Sequence, residues 1–570
     1  MPDGKRFYWI DHEAPCPYHY LGQSVALKQM TITMKLTKHL LLIILLGSLT
    51  LNAQVADPVP DIQASDLTYT LEDFVTIPKS NNTTPRARIN MLRELPDSSG
   101  RMFVNDLNGP GHIIDGETIH EYLDMKDVFP RFITSPGKGT GFGGVAFHPD
   151  FATNGLLYTS HTEWDGGGPT VDFSPEHHNG IALEGVITEW TATDPTANTF
   201  AGTRREVMRF SFPHSIHDLQ DILFNPLATP DSSDYGNLYI CVGEGGTMQW
   251  GFANNLQNPN TYMGTIFRVD PLGTNGRNGQ YGVPTDNPFV GDSSLGLPEV
   301  WVSGFRNPHR LSWDLGGDHK ALIGDIGELS IEEVNLVVPG GNYGWSEREG
   351  TFEFRGQNDR GRVYPLPAND SGYVYPVAQF DHEDGLAVIC GFVYRGQALP
   401  ELYGEFICGD IPGGRIFHAP IDSLIQGRQF PLKELQLVDA NGNPTSLYRI
   451  VPGSRVDLRF GQTNDGEIFI LTKADGKIRY LAHPQATSVR DRDMAETGTW
   501  VPNPTLGVIH FQANGVNTQG MEVDVVGLNG QLYMQEKGTE LDLSALATGI
   551  YVLQWKNEAG QIGRQAIRKE

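Results

Sequence analysis

Short apolar runs fenced by glycine, asparagine and aspartate recur along most of this chain, and stretches with helical periodicity are scarce. One phrase returns at intervals of roughly 55 to 85 residues: a turn residue, usually glycine, then apolar and aromatic positions in close succession. It reads SGRMFVND from Ser99, NGLLYTSH from Asn154, YGNLYICVGE from Tyr235, YGEFICGD from Tyr403 and DGEIFILTK from Asp465, with a weaker version, DHKALIGD, from Asp318. Each phrase is a turn feeding a strand of aromatic and branched residues. Six of them over about 400 residues exceed what a single sandwich uses. They predict an all-β chain whose main body, 67–483, is a six-bladed β-propeller with one such inner strand per blade.

Beyond it the pattern changes. Residues 484–498 are polar and poor in apolar positions, which reads as a linker. Residues 499–570 return to alternating strands separated by Gly and Asn turns, predicting a small β-sandwich of about seven strands. At the other end, Met34 to Gln54 has Lys35 and Lys38, then an apolar run Leu40–Leu46, then small and polar residues. That is the order of a secretory signal peptide, and the run is too short to span a membrane. Residues 1–33 ahead of it read as an extension upstream of the true start.

Composition narrows the partners. The net charge of −26 speaks against nucleic acid, whose binding needs a basic surface. Export would leave Cys241, Cys390 and Cys408 in an oxidising compartment. Cys390 and Cys408 lie in runs that can pair as a hairpin, and a bridge or two buried thiols are equal alternatives. Cys241 reads as core.

The stretch Gly324–Gly350, GDIGELSIEEVNLVVPGGNYGWSEREG, concentrates glycines, the adjacent Glu332 and Glu333, and a buried strand. Glycines admit close backbone approach, and carboxylates with carbonyls are the oxygen ligands calcium takes. A tight hairpin with a solvated acidic edge fits the same residues. Glu332 and Glu333, neighbours in a strand, should point to opposite faces.

Two resemblances add to this. The 499–570 module carries Pro502-Asn503-Pro504-Thr505-x-Gly507, then Val523–Gly530, Leu541-Asp542-Leu543-Ser544 and Gly549-Ile550-Tyr551, and ends in a basic tail with Arg564, Arg568 and Lys569. It resembles the type A C-terminal sorting domain of the type IX secretion system of Bacteroidetes. That implies passage through the periplasm and outer membrane by the type IX machinery to the cell surface or medium.

From about Arg88 to Leu481 the chain resembles the soluble pyrroloquinoline-quinone (PQQ)-dependent sugar dehydrogenases of the glucose/sorbosone dehydrogenase branch. The anchors are Gly144–Phe151, Gly304-Phe-Arg-Asn-Pro308, Glu332-Glu333-Val-Asn335, Gly340–Trp345 and Val393-Tyr-Arg-Gly396. Hedgehog-interacting proteins share this scaffold without being established dehydrogenases, so a non-catalytic, calcium-stabilised propeller that binds carbohydrate or protein is the alternative. A propeller hydrolase would want a carboxylate-lined calcium in the channel, and no constellation in the chain matches that better.

The resemblance implies oxidation of a sugar or related alcohol, PQQ and calcium as cofactors, and an external electron acceptor. It implies His217 as general base, with His214 competing, and Arg306 and Asn307 as cofactor ligands. Arg415 and Arg455 (or Arg459) follow as further cofactor candidates. The carbonyls of Gly327 and Glu328 would face a catalytic calcium, and Glu333 with the backbone of Tyr343 would hold a structural one. Gly139 stands where the family carries Gln or Glu, so either another side chain, Glu244, substitutes or the activity is altered or absent.

Overall fold

The computed structural model describes residues 54–570 except 136–138, 165–167, 177–182, 252–255, 485–497, 514–516, 528–531 and 559–561. The expected extension, the signal segment up to Ala53 and most of the 484–498 linker lie outside the described residues.

Between Gln63 and Ala482 the strands fall into six successive four-stranded antiparallel groups. Their first strands are Ile89–Glu94, Phe142–Phe147, Leu219–Phe224, Pro308–Trp313, Val388–Val393 and Leu458–Gln462. Each first strand touches the first strand of the next group, and the sixth touches the first, so the six close a ring about a central axis. This is the radial architecture of a β-propeller.

The ring is held by apolar packing between neighbours. Six buried clusters each draw on two consecutive groups, the last joining Leu471 and Ile478 of the sixth to Ile89 and Val104 of the first. Large side chains such as Phe103, Phe210 and Phe267 are fully buried in them, each worth roughly 2–3 kcal/mol of transfer free energy.

The amino-terminal strand Gln63–Thr76, which begins slightly before the expected Leu67, closes the ring. Thr70–Thr76 runs antiparallel to Lys477–Ala482 as the outer strand of the sixth group, while Gln63–Tyr69 runs parallel to Lys433–Val438 of the fifth.

One expectation needs correction. All six recurrent phrases form strands, but each is the second strand of its group, such as Met102–Asp106, Leu238–Val242 and Ile468–Thr472. The innermost strands carry polar residues such as Asn90, Asp221, Arg310 and Arg459, all buried. Those residues break the apolar run that made the second strands conspicuous.

Cys390 and Cys408 stand directly opposite each other in an antiparallel pair, as expected, and both are buried free thiols, with Cys390 Sγ turned toward the Gly391 carbonyl. Cys241 is core.

The region 499–570 forms, among its described residues, one three-stranded and one four-stranded antiparallel sheet. Alternation puts Val523, Val525, Leu553 and Trp555 into a core of its own with Trp500 and Ile509. This is the expected small sandwich.

Candidate functional site

In an antiparallel group, the loop entering the first strand and the loop leaving the second lie at the same end. Those loops of the third and fourth groups bring most of the singled-out residues together. His217 immediately precedes the third first strand, Glu244 follows its partner, Arg306 and Asn307 precede the fourth first strand, and Gly327 and Glu328 follow the next.

Backbone bonds lace these loops: Gly245 donates to His217 O (2.8 Å), Gly243 to Asp218 O (2.8 Å) and Glu244 to Arg306 O (2.9 Å). The approach is close enough to require glycine at 243, where a Cβ would lie 2.4 Å from His217 O and 2.9 Å from Asn307 Oδ1.

His217 has φ +56, a left-handed conformation that costs a non-glycine residue about 1–3 kcal/mol and concentrates at functional sites. Its Nδ1 lies 2.8 Å from Glu244 Oε1. Glu244 is fully buried and also accepts from the Gly246 and Met248 amides and the Thr247 hydroxyl. Burial opposes ionisation of Glu244, but the His217 hydrogen bond and the Arg306 charge hold its carboxyl down at about 2. An ionised Glu244 places the imidazole proton on Nδ1 and bares the Nε2 lone pair. Burial, and secondly the charge of Arg306, keep the imidazole below its usual range and therefore neutral at pH 7. His214 lies instead against Gly246.

Arg306 is 5 % exposed and stands 5.7 Å over the Trp345 ring. Nη1 donates to the carbonyls of Ile326 (3.0 Å) and Gly327 (2.5 Å), and Nη2 to Glu328 Oε2 (2.5 Å). Its amide and that of Asn307 are both fixed by Asp325. Asn307 Oδ1 and Arg306 Nε remain buried without a protein partner. The Glu328 carboxylate also pairs with Arg360, so this side chain neutralises Arg306, the arginine expected to meet a cofactor.

The acidic stretch separates as expected. Glu332 faces His382 and the amides of Val388 and Gly327. Glu333 accepts from the Gly350 amide (2.6 Å) and Asn335. It stands opposite Asp325 in the sheet. Burial, then the charges of Glu349 and Glu332, push Glu333 up to about 7, and burial with the Glu333 charge raises Asp325. Tyr343 stacks on Phe305 at 4.2 Å and donates its hydroxyl to Leu336 O. Among the described residues no three His, Cys, Asp or Glu side chains converge as a metal cage.

Arg415 and Arg455 are engaged elsewhere. Arg415 pairs with Asp384 and Glu434, and the half-exposed Arg455 pairs with Asp457. No hydrogen bond or ion pair among the described residues ties either to the His217 group.

Three features escaped the sequence reading. A Cβ at Gly139 would point at Asp218 Oδ1 (3.1 Å) and Gln220 Nε2 (3.7 Å), so the space of the absent Gln or Glu is taken by side chains of the neighbouring group. Asp218 is 1 % exposed, its Oδ2 has no partner, and burial raises its carboxyl to about 7. Glu349 Oε1 accepts from four successive amides, Glu328 to Ile331, and so braces the Gly327–Glu328 turn.

The chain has relatives among known proteins. HIPL1 protein of Arabidopsis thaliana is 27% identical over 428 residues, covering 66% of this chain and 59% of the relative. Human Hedgehog-interacting protein is 24% identical over 403 residues, covering 68% and 50%. Quinoprotein glucose dehydrogenase B of Acinetobacter calcoaceticus is 25% identical over 278 residues, covering 44% and 46%. The chain thus spans between about half and three fifths of these relatives.

The solved structure of PQQ-bound aldose sugar dehydrogenase from Streptomyces coelicolor is 20% identical and covers 74% of this chain and 99% of that one, with a TM-score of 0.47. The model of a secretion system C-terminal sorting domain matches residues 500–569, the sandwich, which marks the chain for type IX export to the cell surface or medium. The model of the glucose/sorbosone dehydrogenase family matches residues 89–480, the whole ring apart from its closing strand, and the chain belongs to that family.

Proposed function

We propose that the protein is an exported PQQ-dependent dehydrogenase of a sugar or related alcohol. The observation that carries this reading is the His217–Glu244 pair beside Arg306 and Asn307: a neutral imidazole oriented by a buried carboxylate, its Nε2 bare, next to orphaned polar atoms of the two residues that match the family's cofactor ligands. Those orphaned atoms fit a polar, multidentate ligand.

When bound, the quinone supplies a two-electron acceptor for hydride, and an external acceptor then reoxidises it. The chain's own residues do the rest. His217 Nε2 takes the substrate hydroxyl proton, and Glu244 fixes the tautomer and steadies the imidazolium that forms. The Arg306 guanidinium offers positive charge where negative charge grows, moderated by Glu328. Gly327 and Glu328 carbonyls would hold one calcium once the Arg306 guanidinium, which occupies the Gly327 oxygen, turns away. Glu333, with its raised proton affinity, and the Tyr343 backbone would hold another.

Adding PQQ and calcium to the purified protein should change the cofactor's absorbance and give dye reduction with an aldose panel, both reversed by a calcium chelator. Absence of any quinone binding sinks the reading.

A second reading has one observation in its favour. The buried Arg306–Glu328 pair already neutralises the arginine, as suits a calcium-stabilised propeller that binds carbohydrate or protein without chemistry. Calcium-dependent stabilisation with no quinone binding is the outcome that favours it.

The sorting domain carries its own prediction. Deleting Thr499–Glu570 should leave propeller activity intact and trap the protein in the periplasm, read by fractionation. Efficient release of the truncated chain overturns the assignment.

A further inference from the structure

The end of the ring opposite His217 carries a cleft that the chemistry above does not use. It opens between the second and third groups and measures about 660 Å³, within the range of small-molecule sites. Chain direction fixes that end. His148 and Asp150 follow the first strand of the second group, Tyr235 and Asn237 precede the second strand of the third, and Asp270 follows that group's third strand, Thr265–Val269. His148 and Asp150 belong to the Gly144–Phe151 string, for which the His217 site gives no role.

His148 is 5 % exposed, its ring edge-on to Phe224 and Tyr235. Its Nδ1 accepts from the Asp150 amide (3.0 Å) and lies 3.0 Å from Asn154 Nδ2. A backbone amide only donates, so Nδ1 keeps its lone pair and the neutral ring carries its proton on Nε2. Burial holds the ring below its usual range and therefore neutral at pH 7. Nε2 has no partner among the described residues. It looks onto Gly236 in the wall of the cleft, where an added Cβ would lie 3.4 Å away. A buried N–H without a protein acceptor calls for one from a ligand.

Around this donor stand acceptors. Asp270 gives Oδ1 to the Leu272 amide (2.9 Å) and keeps Oδ2 for the cleft. Asp150 accepts from the Tyr235 hydroxyl (2.7 Å) through Oδ1 alone. Asn237 spends Nδ2 on Ser233 O (2.8 Å) and keeps Oδ1. Asp286, at the rim, is already met by Arg268 and Ser233. The half-buried Tyr235 ring and the exposed Leu272 side chain set apolar faces beside these polar atoms.

A buried donor, several acceptors and apolar flanks match a polyol, whose hydroxyls each donate and accept and whose ring has a C–H face. A divalent cation would need the Nε2 lone pair, which the proton occupies. An anion would meet Asp150 and Asp270. We infer that this cleft is a binding site for a neutral saccharide, separate from the His217 centre and at the other end of the ring. A glycan held there would tether the exported protein while leaving the His217 end open. The site stands whether or not the protein is a dehydrogenase.

The test uses the exported chain without added quinone and three uncharged probes, maltotriose, cellotriose and mannotriose, with binding read by saturation-transfer NMR and Tm by thermal melting. At least one probe should bind wild type. Asp270→Asn keeps the Leu272 contact and the side-chain shape but turns the free acceptor into a donor. It should melt like wild type and bind that probe at least about ten-fold more weakly, as loss of a hydrogen bond to a charged group predicts. Thr285→Arg, at an exposed position of the cleft wall, should block the same probe without touching a buried contact. Any dye reduction that wild type shows with PQQ, calcium and an aldose should persist unchanged in both variants. Failure of all three probes to bind wild type overturns the site, as does binding that is equal in wild type and both variants. Calcium binding that is lost in Asp270→Asn, with no saccharide bound, makes the cleft a cation site and overturns the saccharide assignment.

Discussion

Replacing His217 with asparagine is expected to lower turnover by about 10²–10⁴-fold, or about 3–5 kcal/mol of barrier, while quinone binding persists. The asparagine keeps the polar bulk and can still bond Glu244, but it offers no base. Glu244→Gln should cost nearly as much, because without the carboxylate nothing holds the proton on Nδ1 and Nε2 is no longer reliably bare. The double variant should be no worse than His217→Asn alone, since the two act as one unit.

The pH profile separates orientation from simple structural damage. In wild type, burial and Arg306 keep the imidazole below its usual range, so the acid limb of kcat/KM should fall only below the ordinary imidazole pKa. Glu244 opposes that depression, so Glu244→Gln should move the acid limb to still lower pH even as kcat drops. Full turnover in His217→Asn ends the base assignment. An unmoved acid limb in Glu244→Gln reduces Glu244 to a loop anchor.

Much of the fold is visible in the chain because the second strand of every group is apolar and follows an obligatory turn. The turn glycines and the branched and aromatic residues act on the same segment and reinforce each other. The first strands were hidden by the polar residues they bury. Asn90, Arg310 and Arg459 are buried through contacts with other groups, information that no local pattern holds.

The site divides in the same way. His217, Glu244, Arg306 and Asn307 sit in short strings with recognisable spacing. Asp218 owes its character to what surrounds it in space, burial against an unsubstituted Gly139. Glu328 was read for its carbonyl alone, yet its side chain pairs with Arg306 and Arg360. Arg415 resembles a family position but is met by Asp384 and Glu434 once the fifth group folds.

Asp218→Asn should make the protein more stable and less active. The wild-type carboxyl is buried beside His217 with one oxygen unpartnered, and burial raises it from 3.8 to about 7. An acid whose folded pKa exceeds its unfolded one binds its proton more tightly when folded. Its contribution to stability is therefore fullest below about pH 4 and is lost as pH rises through 7. The loss amounts to about 4 kcal/mol by pH 8. Asparagine keeps the shape and cannot ionise. The variant should match wild type near pH 4 and exceed it by up to that amount at pH 8, read from urea midpoints across the pH range.

Activity should move the other way. Asp218 fills the space of the family's missing Gln or Glu and, protonated at mildly acidic pH, can donate to a substrate oxygen and then accept from it. Asparagine cannot alternate between these roles, so kcat/KM should fall by about ten-fold, the worth of one hydrogen bond at the reacting group. Stability gained together with activity lost would mark Asp218 as a strained group kept for chemistry. Stability gained with activity unchanged would leave it a passive filler of the space at Gly139. A variant less stable than wild type at pH 8 would remove the buried-charge account of this residue altogether.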